Sequence, residues 1–272
     1  MEFQKKLDTI VEKNNSLVCV GLDADFDKLP THLKHDEFPQ YAFNKAIIDA
    51  THDLVCAYKP NSAFYEARGE KGIHELKMTY DYVHSTYPDI VTILDAKRAD
   101  IGNTNNGYVS FIFDFLGSDA VTLQPYLGGE AIKPFLERAD KGCIILCKTS
   151  NPGAGELQDL LVNGESLYKI TAKKVSQEWN KNTNCLLVVG ATYPKELAEV
   201  RAITGDMVFL IPGVGAQGGD VEKTVKAGLN SKKSGMIINS ARGIIFASVG
   251  ADFAEKARIE TQKLKDEINL YR

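Results

Sequence analysis

The chain has 272 residues, of which 44% are hydrophobic and 25% charged, with a net charge of −4. This is an ordinary globular composition with room for one large domain or two small ones, and it lacks the basic excess that nucleic acid or an anionic membrane surface selects. No apolar run approaches the ~20 residues needed to span a bilayer, so neither a membrane nor a nucleic-acid partner is expected.

In chain order, "MEFQKKLDTIVEKNN" comes first and reads as an amphipathic helix rather than a signal peptide, which predicts a cytoplasmic protein. Short apolar runs then recur at 16–23, 54–61, 89–97, 119–126, 142–150, 184–191, 207–213 and 235–241. They are rich in Val, Ile, Leu and Cys and nearly continuous in apolarity, as strands are when both faces of a parallel sheet are covered. Amphipathic helical patterns lie between or after them, at 44–53, 72–87, 164–180, 195–204 and 252–270. The stretch 24–43, with two prolines and mixed charges, reads as one long irregular connection. Eight strand–helix units without a linker predict a single α/β domain over 1–272, a (β/α)8 TIM barrel, with a doubly wound sheet as the alternative. The five cysteines, Cys19, Cys56, Cys143, Cys147 and Cys185, all sit in the apolar runs without a C-x-x-C, and are expected to be small core residues.

In such a barrel the chemistry lies at the C-terminal ends of the strands. Polar residues at those ends are Asp23, Lys59, Asn61, Asp95, Lys97, Lys148, Thr149, Ser150, Asn239 and Ser240, with Arg242 following. Asp95 and Lys97 are two apart and share a strand face whose upstream residues, Val91 and Ile93, are apolar. The bland reading of "DAKRAD" is a solvated charge run, or an ion pair with Asp100 capping the next helix. The functional reading is convergence of Lys59, Lys97, Asp23 and Asp95 in one mouth, a costly arrangement that functional sites tolerate.

"IPGVGAQGGD" contains G-x-G-x-x-G at Gly213, Gly215 and Gly218. A dinucleotide site would need an acid at the end of the next strand, which instead ends "IINSA". Phosphate binding by the loops after strands seven and eight is the better reading, with Arg242 supplying a fork of donors and Gln217 reaching from the loop. The histidines, His32, His35, His52, His74 and His84, end no strand, and there is no H-E-x-x-H or G-x-S-x-G. A lysine among carboxylates suggests a Schiff base or direct proton transfer. The acids beside Lys97 favour its charged form and hence proton donation.

"DAKRADIGNT" (95–104), supported by "KTSNPGAGELQD" (148–159), "PGVGAQGGD" (212–220) and the long loop after "VGLDAD", resembles the signature of the orotidine 5′-phosphate decarboxylase family, in its type 2 subgroup, across essentially the whole chain. The resemblance implies a carboxy-lyase of de novo pyrimidine biosynthesis that converts orotidine 5′-phosphate to UMP without cofactor or metal. It also implies a homodimer of barrels with shared active sites. Lys59, Asp95, Lys97 and Asp100 would form the charged tetrad, with Asp100, Ile101 and Thr104 entering the partner's site. Asp23 and Lys59 would contact the ribose and Ser150 the pyrimidine. Gln217 and Arg242 would hold the phosphate, and Pro212 and Gly213 complete the substrate-binding set. The rivals are another phosphosugar decarboxylase or synthase of the same superfamily, and a non-catalytic nucleotide-binding barrel.

Overall fold

Eight parallel strands close on themselves: β1 (Val18–Gly21), β2 (Ala57–Lys59), β3 (Val91–Arg98), β4 (Ala120–Leu123), β5 (Gly142–Lys148), β6 (Cys185–Val189), β7 (Phe209–Pro212) and β8 (Met236–Ser240). Each pairs with its neighbours in sequence, and β8 returns to β1 with Val18 opposite Ile238. The structure is a computed structural model that describes residues 2–214 and 218–272. The strands are buried almost throughout, which is why they read as unbroken apolar runs.

Nine helices of seven or more residues surround the barrel among the described residues. These are α1 (Glu2–Asn14), α2 (Pro39–Thr51), α3 (Gly69–Thr86), α4 (Asn103–Val109), α5 (Gly128–Leu136), α6 (Leu167–Lys173), α7 (Pro194–Thr204), α8 (Val221–Gly228) and α9 (Phe253–Leu270). α4 and α6 run on as π-helical turns, Ser110–Phe115 and Lys174–Trp179. α1 buries Phe3, Leu7, Ile10 and Val11, one helical face. Phe3 fills the space that a Cβ on Gly142 would enter at 3.0 Å, at the start of β5. No described helix is long and apolar enough to cross a membrane. All five cysteines are buried and free.

The (β/α)8 expectation holds, with one difference in the first connection. α2 begins at Pro39, five residues before the 44–53 pattern, because proline suits the first helical position and lacks the amide that would go unpaired there. The residue that follows, Gln40, is fully buried; its amide donates to Ala24 O at 2.7 Å and Phe64 O at 3.0 Å. A polar residue sealed in this way hides the start of the apolar face. Two 3-10 turns, Phe26–Lys28 and Leu33–His35, order the rest of the connection.

Candidate active site

The strands deliver their last side chains to a cavity of about 460 Å³ at the C-terminal mouth. Asp95, at the end of the apolar part of β3, is its electrostatic centre. Its Oδ2 takes the Lys59 ammonium at 2.8 Å and its Oδ1 takes the Lys97 ammonium at 2.6 Å. Thr122 donates to the same Oδ1 at 2.9 Å, and Asn61 Nδ2 lies 3.5 Å from Oδ2. Lys59 is almost completely buried, whereas the Lys97 side chain is half exposed and reaches into the cavity.

β3 is not a plain strand where this happens. Leu94 pairs with Val121, but Arg98 pairs with Leu123, so β3 carries two extra residues there. Lys97 takes φ +48° and Ala99 φ +154°, conformations that side-chain-bearing residues rarely adopt. Thr122 Oγ1 accepts the Lys97 backbone N–H at 3.0 Å, fixing the distortion from the neighbouring strand. Asp95 and Lys97 meet, but through this irregularity rather than by the strand alternation expected from the sequence.

Burial disfavours the Asp95 carboxylate, but the Lys59 and Lys97 ammonium groups outweigh it and hold its pKa well below the usual range. Burial likewise opposes the Lys59 charge, and Asp95 and Asp23 overcome it, so its pKa is raised. Asp23 behaves differently. Burial is its largest influence and raises its pKa, with the Lys59 attraction only partly offsetting it. Its Oδ1 is buried without a hydrogen-bond partner among the described residues. A carboxylate oxygen left so at a cavity wall is poised for a hydroxyl donor.

The opposite wall comes from the exits of β5, β7 and β8. Thr149, Ser150, Asn151 and Gln158 line it, with Pro212, Gly213, Asn239, Ser240 and Arg242. Ser150 lies so close to the exit of β6 that a Cβ on Gly190 would stand 2.9 Å from its Cα, so only glycine allows the approach. Gly213 has φ +98°, and its carbonyl accepts the Gly219 N–H at 3.1 Å, pinching the base of the glycine loop. Gln217, expected on that loop, lies outside the described residues. Asp220 accepts from Lys223 N at 2.9 Å and caps α8, so an acid occupies the place a dinucleotide pyrophosphate would need. Arg242 is exposed on the cavity wall, and its guanidinium has no hydrogen-bond or ion-pair partner among the described residues.

Asp100, Ile101 and Thr104 are not in this cavity. Asp100 does not cap α4; its Oδ1 accepts only the adjacent Ile101 N–H at 2.6 Å, and the residue at the cap is Gly102. Ile101 is 60% exposed and Thr104 is exposed. Thr122 was missed in the sequence because a threonine near the end of "DAVTL" is indistinguishable from a β-branched core residue. The available signal is its position, near the end of β4 beside β3.

A family model described as "Orotidine 5′-phosphate decarboxylase / HUMPS family" matches residues 16–257. An orotidine 5′-phosphate decarboxylase of Cellvibrio japonicus is 50% identical over 274 aligned positions, covering 100% of both chains. One of Dechloromonas aromatica is 47% identical, again with 100% of both covered. Among solved structures, an OMP decarboxylase of Leishmania donovani superposes with a TM-score of 0.86 at 35% identity, covering 100% of this chain and 99% of that one.

Proposed function

The chain belongs to the orotidine 5′-phosphate decarboxylase family and is a carboxy-lyase that converts orotidine 5′-phosphate to UMP in pyrimidine biosynthesis, and on that premise we propose how its mouth performs the reaction. The substrate lies across the cavity with its pyrimidine C6 at Lys97. The C6–carboxylate bond breaks, carbon dioxide departs, and the electron pair stays on C6 in the plane of the ring. The Lys97 ammonium stabilises that charge as it develops and passes one proton from Nζ to C6, leaving UMP. Asp95 remains ionised throughout and holds both lysines in place, and Lys97, a neutral amine once its proton has passed to C6, regains one from water before the next turnover. An ammonium fixed in advance needs no reorganisation when the carbanion forms, the condition under which electrostatic stabilisation is largest.

Asp23 and Lys59 take the ribose hydroxyls, Ser150 the pyrimidine edge, and Arg242 the phosphate, with Gln217, Pro212 and Gly213. The phosphate is remote from the broken bond, so its binding energy can drive assembly of the site around the base. Asp100, Ile101 and Thr104 lie outside the cavity of their own chain and serve the site of a second copy in a homodimer. The protein works in the cytoplasm.

The observation that carries this reading is the Lys59–Asp95–Lys97 array, with both ammonium contacts at 2.8 Å or less, on the cavity wall. The test is spectrophotometric turnover of orotidine 5′-phosphate in EDTA by the wild type and Lys97→Ala. Full wild-type activity with chelator and nearly complete loss in the variant are expected. An unimpaired variant overturns the assigned role of Lys97.

A further inference from the structure

The cavity wall that carries Ser150 is held by a buried charge that the reaction does not use. Lys148, the last residue of β5, is only 1% exposed. Its ammonium makes an ion pair with Asp159 Oδ1 at 2.6 Å and lies over the Tyr193 ring, 4.6 Å from the centroid. The Tyr168 ring lies 5.6 Å away. Lys148 does not line the cavity; its neighbours Thr149, Ser150 and Asn151 do, as does Gln158 beside Asp159.

A lysine sealed among aromatic rings at the end of an apolar strand is costly without a partner. Asp159, eleven residues along the chain, supplies one and so closes the wall segment into a loop. The same closure recurs one residue further in on each side. Gln158 Oε1 accepts the Thr149 N–H at 2.9 Å, and Gln158 Nε2 donates to Thr149 Oγ1 at 2.8 Å. Behind the loop, Lys148 O accepts the Gly190 N–H at 2.7 Å, setting the distance at which Ser150 stands off β6. Lys148 thus ties down the segment that carries Ser150 on two sides, by its carbonyl to Gly190 at the exit of β6 and by its ammonium to Asp159.

We infer that Lys148 and Asp159 are positioning residues that set the Ser150 wall for recognition of the pyrimidine, acting through Ser150 without touching the substrate. The inference rests on the proposed contact between Ser150 and the base. It assigns the pair to base selectivity rather than to the chemical step or to phosphate capture.

The test compares binding of UMP and of ribose 5-phosphate, by calorimetry, to the wild type, Lys148→Met, Asp159→Ala, Ser150→Ala and the Ser150→Ala/Asp159→Ala double variant. Methionine keeps most of the lysine stem in a site that already excludes water, and Asp159 is half exposed, so at least one variant of the pair is expected to fold. Loss of the latch should weaken UMP about tenfold, the scale of one well-made hydrogen bond, with ribose 5-phosphate unchanged. The double variant should be no worse than Ser150→Ala, because Asp159 acts through that serine. Equal weakening of both ligands, or unchanged UMP affinity in Asp159→Ala while Ser150→Ala is impaired, overturns the latch alone. If Ser150→Ala shows no selectivity for the base, the reading of Ser150 fails and the latch with it.

Discussion

Thr122 Oγ1 donates to Asp95 Oδ1 at 2.9 Å, onto the oxygen that also holds the Lys97 ammonium. The same hydroxyl accepts the Lys97 backbone N–H at 3.0 Å, so one side chain holds the Lys97 backbone directly and its ammonium through Asp95. Thr122→Val keeps the shape and deletes both bonds. It should cost about 1–2 kcal/mol of stability. Because Lys97 then samples other orientations, kcat should fall about tenfold with KM nearly unchanged. Steady-state kinetics with a thermal melt check this, and an unchanged kcat would leave Thr122 a purely structural residue.

Asp23 and Asp95 are carboxylates of one cavity whose pKa values move in opposite directions, and the signs predict opposite effects on stability. Asp95 is depressed, so it stabilises the fold above the ordinary carboxylate pKa of about 4, and that stability is lost as pH falls toward its folded value. Asp23 is raised by burial, so ionising it in the fold costs stability, and the cost appears as pH rises through its raised pKa. Asp23→Asn should therefore melt a few degrees higher than the wild type at neutral pH, with the gap closing in acid. It should also bind UMP about tenfold more weakly, since the unpartnered Oδ1 would no longer offer a charged acceptor. Melts of both proteins across the acid-to-neutral range test the sign. A variant that is less stable at neutral pH contradicts it.

The barrel was legible because strands covered on both faces leave a continuous apolar record, and the charged residues break that record only where each strand reaches the mouth. Lys59, Asp95, Lys97, Ser150 and Arg242 could be placed from that break. Three features could not. Thr122 carries a polar group on a side chain that alternation treats as core. The left-handed Lys97 backbone arises from two extra residues against β4, a register relation between strands that a single strand's pattern does not encode. The Lys148 ammonium reads as one more strand-end charge, and only folding shows that it turns away from the cavity toward Asp159 and Tyr193. In the first connection, the buried Gln40 broke the apolar face and moved the apparent start of α2.

Arg242 lines the cavity with a guanidinium that no described residue engages. A donor fork kept free at a mouth of this kind suits the oxygens of a phosphate. Arg242→Ala should lower kcat/KM for orotidine 5′-phosphate about a hundredfold, the scale of two charge-assisted hydrogen bonds. Turnover of orotidine itself, which has no phosphate, should barely change. Equal losses on the two substrates would move the phosphate site elsewhere.

Asp100 stands outside the cavity that contains Asp95, though it lies only five positions further along the chain. On the proposed reading this carboxylate serves the mouth of a second copy, and that reading makes two predictions. Lys97→Ala and Asp100→Ala should each abolish activity alone. When the two are mixed, unfolded and refolded together, hetero-pairs should regain turnover, because one of the two mouths in each pair then holds both an intact Lys97 and the partner's intact Asp100. Activity should also fall on dilution, in step with the dimer fraction seen by sedimentation, if the partner's Asp100 completes the site. Refolded mixtures that stay inactive, or a monomer with full turnover, would place Asp100 outside the reaction.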